Sequence, residues 1–163
     1  MKLYRTTSHT LFDLKYHLVW ITKYRRPVLT GRVGYRVRDL IREICRTFNV
    51  QILKGHVSTD HVHLFISCPP QLSMSKLAQY LKGKTSRKLL QENVSLRKQF
   101  WGQHLWGRGY YAFSSGHITD EMIMEYIKGQ DEDADKRGDD FTLIDASASS
   151  QSHNLSPSRR KGS

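Results

Sequence analysis

At 163 residues the chain is the size of one domain and can bury a core without disulfides or metal to hold it together. Its 26 Lys+Arg against 15 Asp+Glu give a formal net charge of +11, which points to a polyanionic partner, nucleic acid before an anionic membrane surface. The polar, basic start MKLYRTTSH and the lack of any apolar run near the roughly 18–20 residues of a membrane span argue against a membrane protein, so a soluble, cytoplasmic one is expected. Cys45 and Cys68, in apolar surroundings without CxxC spacing, read as reduced core thiols.

The first element, FDLKYHLVWIT (12–22), alternates with period two and is rich in aromatic and β-branched residues, which predicts a strand. A basic turn, KYRRPVLTG, follows. Val33, Val37, Leu40, Ile41, Ile44 and Phe48 then recur at helical spacing and predict an amphipathic helix stopped near Asn49. Residues 50–57 and 61–67 read as two strands joined by the turn Ser58-Thr59-Asp60, with Pro69-Pro70 ending the second. Ser73 is placed to cap a helix over 74–91, apolar at Met74, Leu77, Leu81 and Leu89.

The stretch 95–108, with Trp101 and Trp106, is irregular, and GYYAFSS (109–115) suits another strand. A last helix starts at Thr119 as N-cap, with Asp120 and Glu121 in its first turn and Ile118 and Ile123 placed for a hydrophobic staple. It should run to about Gln130. The acidic run DEDADKRGDD follows as a solvated segment, and the Ser-rich basic tail 146–163 lacks a core-forming pattern and is expected to be disordered. One domain over 1–145 with that tail is the expected organisation. The order is β-α-β-β-α-β with a helix appended. That is an α+β, ferredoxin-like (RRM-like) sandwich with a single four-stranded antiparallel sheet. Its first two helices would cover one face, leaving the other for a site.

Two patterns carry chemistry. In a strand, residues two apart share a face, so His61 and His63 project together while Val62 turns to the core. Two neutral imidazoles a strand-step apart can chelate one divalent ion, although His-x-His alone more often means two histidines on a polar face. On the last helix, Tyr126 and Gln130 lie four apart and therefore on one face. Gln130 offers a carboxamide oxygen to a metal, and Tyr126 a phenol. A phenol with a pKa of about 10 is a weak nucleophile at neutral pH. Beside a metal-polarised phosphodiester it could attack phosphorus and leave a 5′-phosphotyrosine.

The run DHVHLFIS (60–67), the segment FWGQHLWGRGYYAFSSG (100–116) and the ending EYIKGQ (125–130) resemble the single-tyrosine HUH transposases, the small transposases of the simplest insertion sequences. YHLVWITKYRRPVL (16–29) and LAQYLKGKTSRKLL (77–90) are similar to that family too, so the resemblance spans about residues 12–131. It implies a transposase that cleaves and rejoins single-stranded DNA at element ends after binding DNA hairpins. His61 and His63 would be the HUH pair, Tyr126 the nucleophile, and Gln130 the third ligand of Mg2+ or Mn2+. It also implies a homodimer in which edge strands join two sheets and active sites can be shared between subunits.

Lys82, Lys84, Arg87 and Lys88 form the densest basic cluster, and Lys23, Arg25 and Arg26 crowd the turn after the first strand; both groups are candidates for phosphate contact. Trp101, Trp106, Tyr110 and Tyr111 either stack unpaired bases or pack in the core or an interface. His17, His56, His104 and His117 receive no role from sequence. Two rival functions stay open at this point: a noncatalytic nucleic-acid-binding module, and a domesticated HUH endonuclease acting on repeated palindromes.

Overall fold

The computed structural model describes residues 4–100, 102, 104–115 and 140–144. A small hairpin, β1 (Arg5–Thr6) and β2 (Leu11–Phe12), precedes β3 (Lys15–Ile21). Helix α1 (Gly31–Thr47) leads into the hairpin of β4 (Gln51–Val57) and β5 (His61–Ser67). Helices α2 (Met74–Glu92) and α3 (Val94–Gln99) follow, then β6 (Tyr111–Ser114) and β7 (Asp140–Leu143). The main sheet runs β6-β3-β5-β4-β7, every neighbour antiparallel.

The β6-β3-β5-β4 part is the ferredoxin-like order expected for β-α-β-β-α-β. The sheet, however, carries a fifth strand. β7 lies on the outer edge of β4, where Phe141 is buried over Gly55. Its four residues begin on the last residue of the acidic run and show too short a pattern to read as a strand in isolation. The expected first strand is also split: Leu11–Phe12 pairs with β1, and only Lys15–Ile21 enters the main sheet.

The helix ends follow local chemistry. Ser73 Oγ accepts a hydrogen bond from the Lys76 backbone N–H at 3.2 Å, capping α2. Beyond α1, Asn49 takes a left-handed φ of 55°, and Val50 N–H reaches back to Cys45 O at 2.9 Å. With Asn49 N–H on Arg46 O, this is a Schellman closure built on asparagine rather than glycine.

The core lies between the helices and one face of the sheet. Val37, Leu40, Ile41 and Ile44 of α1 and Leu77, Leu81 and Leu89 of α2 join Leu18, Trp20, Ile52, Val62, Leu64 and Ile66 in one buried cluster. Val62, Leu64 and Ile66 of β5 enter this cluster, so the alternate residues His61, His63 and Phe65 point to the opposite face. No described helix is long and apolar enough to cross a membrane.

Candidate active site and nucleic-acid interface

The site grows from the register of three strands. Pairing of β3 with β5 sets Val19 against His63, Ile21 against His61 and His17 against Phe65; pairing of β4 with β5 sets His56 against His63. Four histidines therefore share the sheet face away from the helices. The rings of His61 and His63 lie 4.6 Å apart, nearly perpendicular, as the strand-step argument requires.

His61 is held from its Nδ1 side. Asp60 Oδ1 lies 2.6 Å from that nitrogen, and Asp60 Oδ2 accepts from Arg25 Nε at 3.0 Å. Partial burial pushes the Asp60 carboxyl up, but the hydrogen bonds from His61 and Arg25 outweigh it and hold the group below its ordinary range. The other nitrogen, His61 Nε2, is buried with no hydrogen-bond partner among the described residues. A buried lone pair left unsatisfied is costly, so this atom suits a ligand.

His63 has different company. Its Nδ1 lies 3.4 Å from His17 Nε2, and the two rings stack with centroids 5.6 Å apart. Phe113 of β6 meets His17 edge-on at 4.7 Å. Burial pushes His17 down to about 4, so it is neutral at pH 7. His56 sits farther off, with rings 6.4 Å apart and its Nε2 3.0 Å from Ser58 Oγ.

His61 and His63 supply two imidazole donors of the kind a divalent transition ion prefers. No cluster of three or more His, Cys, Asp or Glu able to hold a metal occurs among the described residues. A complete centre therefore needs a donor of another type or place, and Gln130 would be both. Tyr126, Gln130, Trp101 and His117 lie outside the described residues.

Sequence reading missed Asp60 and His17. The first was legible, since a carboxylate directly before His61 in a tight turn is well placed to reach its ring. The second emerges only from strand register, because His17 and His63 are 46 residues apart in the chain.

The basic residues divide among three settings. Lys23, Lys82 and Arg87 line a groove of about 890 Å³ between α2 and the segment before β6, together with His104, Trp106 and two arginines that the sequence reading did not single out, Arg97 and Arg108. The segment is held by Lys23 N–H on Leu105 O and Gly107 N–H on Ile21 O, at 2.8 and 2.9 Å. Lys82 Nζ donates to Gly109 O at 2.8 Å, and partial burial lowers its pKa. Arg25 is engaged by Asp60, while Arg26 donates to Gln99 O and lies over the Phe100 ring. Lys84 and Lys88 are exposed on α2 outside the groove, Lys84 over the Tyr80 ring. Trp106 is buried, donates to Thr85 Oγ1 and meets Trp20 edge-on, so it is a packing residue. Tyr110 and Tyr111 are exposed.

Comparison with known proteins agrees with this geometry. The family model described as "Transposase IS200 like" matches residues 10–130. Transposases for insertion sequence element IS200 from Salmonella typhimurium and Salmonella typhi are each 35% identical over 139 residues, covering 85% of this chain and 90% of theirs. The ISDra2 transposase TnpA of Deinococcus radiodurans is 32% identical over 120 residues, 74% of this chain and 86% of that protein. Among solved structures, a transposase from Deinococcus radiodurans aligns with a TM-score of 0.64 at 29% identity, over 77% of this chain and 97% of its own. The REP-associated tyrosine transposase bound to a REP hairpin shares the fold, with a TM-score of 0.56 at 14% identity over 82% of this chain and 75% of its own.

Proposed function

Because the chain belongs to the IS200-like transposase family, we propose that it cleaves and rejoins single-stranded DNA at insertion-sequence ends through a 5′-phosphotyrosine formed on Tyr126. The observation that carries this reading is the pairing of His61 with His63, the Nε2 of His61 being buried with no hydrogen-bond partner among the described residues, within a matched span that also contains Tyr126 and Gln130.

His61, His63 and Gln130 would hold a divalent ion, Mg2+ or Mn2+, which when bound supplies polarisation and charge neutralisation at the scissile phosphate. Two imidazoles favour Mn2+ by ligand preference. Tyr126 Oη attacks phosphorus, the bond from phosphorus to O3′ breaks, and the 3′ oxygen leaves with a proton. The phosphotyrosine conserves the energy of the broken bond, so a later 3′ hydroxyl can reverse the step without ATP. That economy suits strand transfer better than hydrolysis.

The groove lined by Lys23, Lys82, Arg87, Arg97 and Arg108 gives duplex phosphates of a hairpin stem a basic track. It lies on the helix side of the sheet, so stem binding and cleavage occupy different faces. Arg25, Arg26, Lys84 and Lys88 extend the positive surface around it. The working unit is a homodimer, with Tyr126 of one subunit able to serve the histidine pair of the other.

The test is denaturing gel electrophoresis of the protein mixed with Mn2+ or Mg2+ and labelled single-stranded DNA from the flanks of its own gene. A metal-dependent protein–DNA band that survives denaturant and vanishes in Tyr126→Phe is expected. Metal-dependent cutting without that band would make the protein a hydrolytic nuclease and overturn the reading.

A further inference from the structure

We propose that Asp60, braced by Arg25, is a positioning residue that fixes the ring of His61 with Nε2 turned to the metal. The inference rests on the reading of His61 and His63 as metal ligands.

The turn that carries Asp60 is pinned on several sides. Thr22 N–H donates to Asp60 O, Leu29 N–H to Thr59 O and Ser58 N–H to His61 O, all at 2.8–2.9 Å. The basic turn opposite is built in an uncommon way. Tyr24 and Arg25 are consecutive non-glycine residues with left-handed φ, 59° and 50°, closed by Thr22 Oγ1 on Arg26 O at 2.8 Å. This conformation brings Arg25 Nε to 3.0 Å from Asp60 Oδ2, while Oδ1 of the same carboxylate stays 2.6 Å from His61 Nδ1.

An ionised carboxylate only accepts hydrogen bonds, so the nitrogen facing it must carry the proton. In the neutral imidazole, the form that binds a metal, the one N–H then sits on Nδ1 and leaves Nε2 as the bare lone pair. That is the atom found buried and without a hydrogen-bond partner among the described residues. Carboxylate–histidine–metal arrangements work this way, fixing both tautomer and ring angle. Arg25 contributes less than Asp60, because its side chain is 61% exposed while Asp60 is 20% exposed, and solvent screens it.

The experiment uses the full chain, metal-free and 15N-labelled, with long-range 1H–15N spectra to read the His61 tautomer and a titration of Mn2+ followed by electron paramagnetic resonance. The wild type should show the proton on Nδ1. Asp60→Ala should move it toward Nε2 and weaken Mn2+ binding by about 10- to 100-fold. Asp60→Asn keeps the size of the side chain but can present an N–H to Nδ1; it should also move the tautomer and decides the matter if the alanine variant unfolds. Asp60→Glu should recover part of the affinity, and Arg25→Gln should shift both readouts less than Asp60→Asn. An unchanged tautomer, or a changed tautomer with unchanged Mn2+ affinity, would overturn the proposal. His61→Ala separates the two levels: if it binds Mn2+ as tightly as the wild type, the metal-site reading itself fails.

Discussion

A Cβ placed on Gly55 would lie 2.6 Å from Cζ of Phe141, so the edge strand β7 seats its aromatic ring in the space that a side chain would fill. Phe141 is buried there, with the Arg42 guanidinium 5.2 Å from its ring centroid. Gly55→Ala must push the ring away and should cost about 1–3 kcal/mol as overpacking. Phe141→Ala should cost about 3–5 kcal/mol if β7 contributes to global stability. The two changes should be strongly non-additive, since Gly55→Ala meets no clash once the ring is gone. Urea unfolding of the singles and the double checks this; additive losses would mean that β7 does not dock on β4 in solution.

Both cysteines are buried, and burial pushes each thiol up to about 12. A thiol whose folded pKa exceeds its unfolded value of about 8.5 adds stability that is complete below that value. That contribution is lost as pH rises from about 8.5 toward 12. The native protein should therefore resist thiol reagents at pH 8 and become less stable on the alkaline side. Cys45→Ala with Cys68→Ala should flatten the alkaline part of a melting-temperature profile. Rapid labelling of the native wild type would show that the thiols are accessible and would remove the basis for the alkaline loss.

Much of this architecture is legible from pattern alone. The hairpin of β4 and β5, the two long helices and the pairing of His61 with His63 on one face all follow from local periodicity, which strand and helix geometry translate directly. Relationships set by register were not legible. The contact of His17 with His63 depends on how β3 aligns with β5, and the strand β7 depends on the room above Gly55, which belongs to another element. Likewise Arg108 joins the basic groove because the segment before β6 folds back along α2, and Arg97 because α3 packs against α2. The basic run on α2 shows in the sequence, but helical geometry divides it: Lys82 and Arg87 line the groove, while Lys84 and Lys88 project elsewhere.

That division makes a prediction for DNA binding. Removing one side chain that touches a phosphate should lower the slope of log affinity against log salt by about 0.9 for duplex DNA. Arg87→Ala and Arg108→Ala should each show such a drop and weaken hairpin binding across sequences, with little effect on sequence preference. Lys84→Ala and Lys88→Ala should change the slope less. Fluorescence anisotropy with a hairpin at several salt concentrations gives all four slopes. Equal effects from both pairs would mean that the DNA wraps around α2 rather than lying in the groove.

The last prediction concerns the proposed metal donors. His61 and His63 are fixed by strand geometry, so losing either ring leaves the other unable to chelate. His61→Ala and His63→Ala should each weaken Mn2+ binding at least tenfold, by analogy with the 10- to 100-fold cost of losing outer-shell partners. Gln130→Ala removes a neutral oxygen donor and should cost less than either histidine. Gln130→Glu adds a charged oxygen, which Mg2+ favours, and should shift preference from Mn2+ toward Mg2+. Titrations of both ions against the wild type and the four variants, without DNA, measure this independently of cleavage. If Gln130→Ala and Gln130→Glu both bind like the wild type, the third donor is another residue, and the role proposed for this segment narrows to Tyr126 as nucleophile.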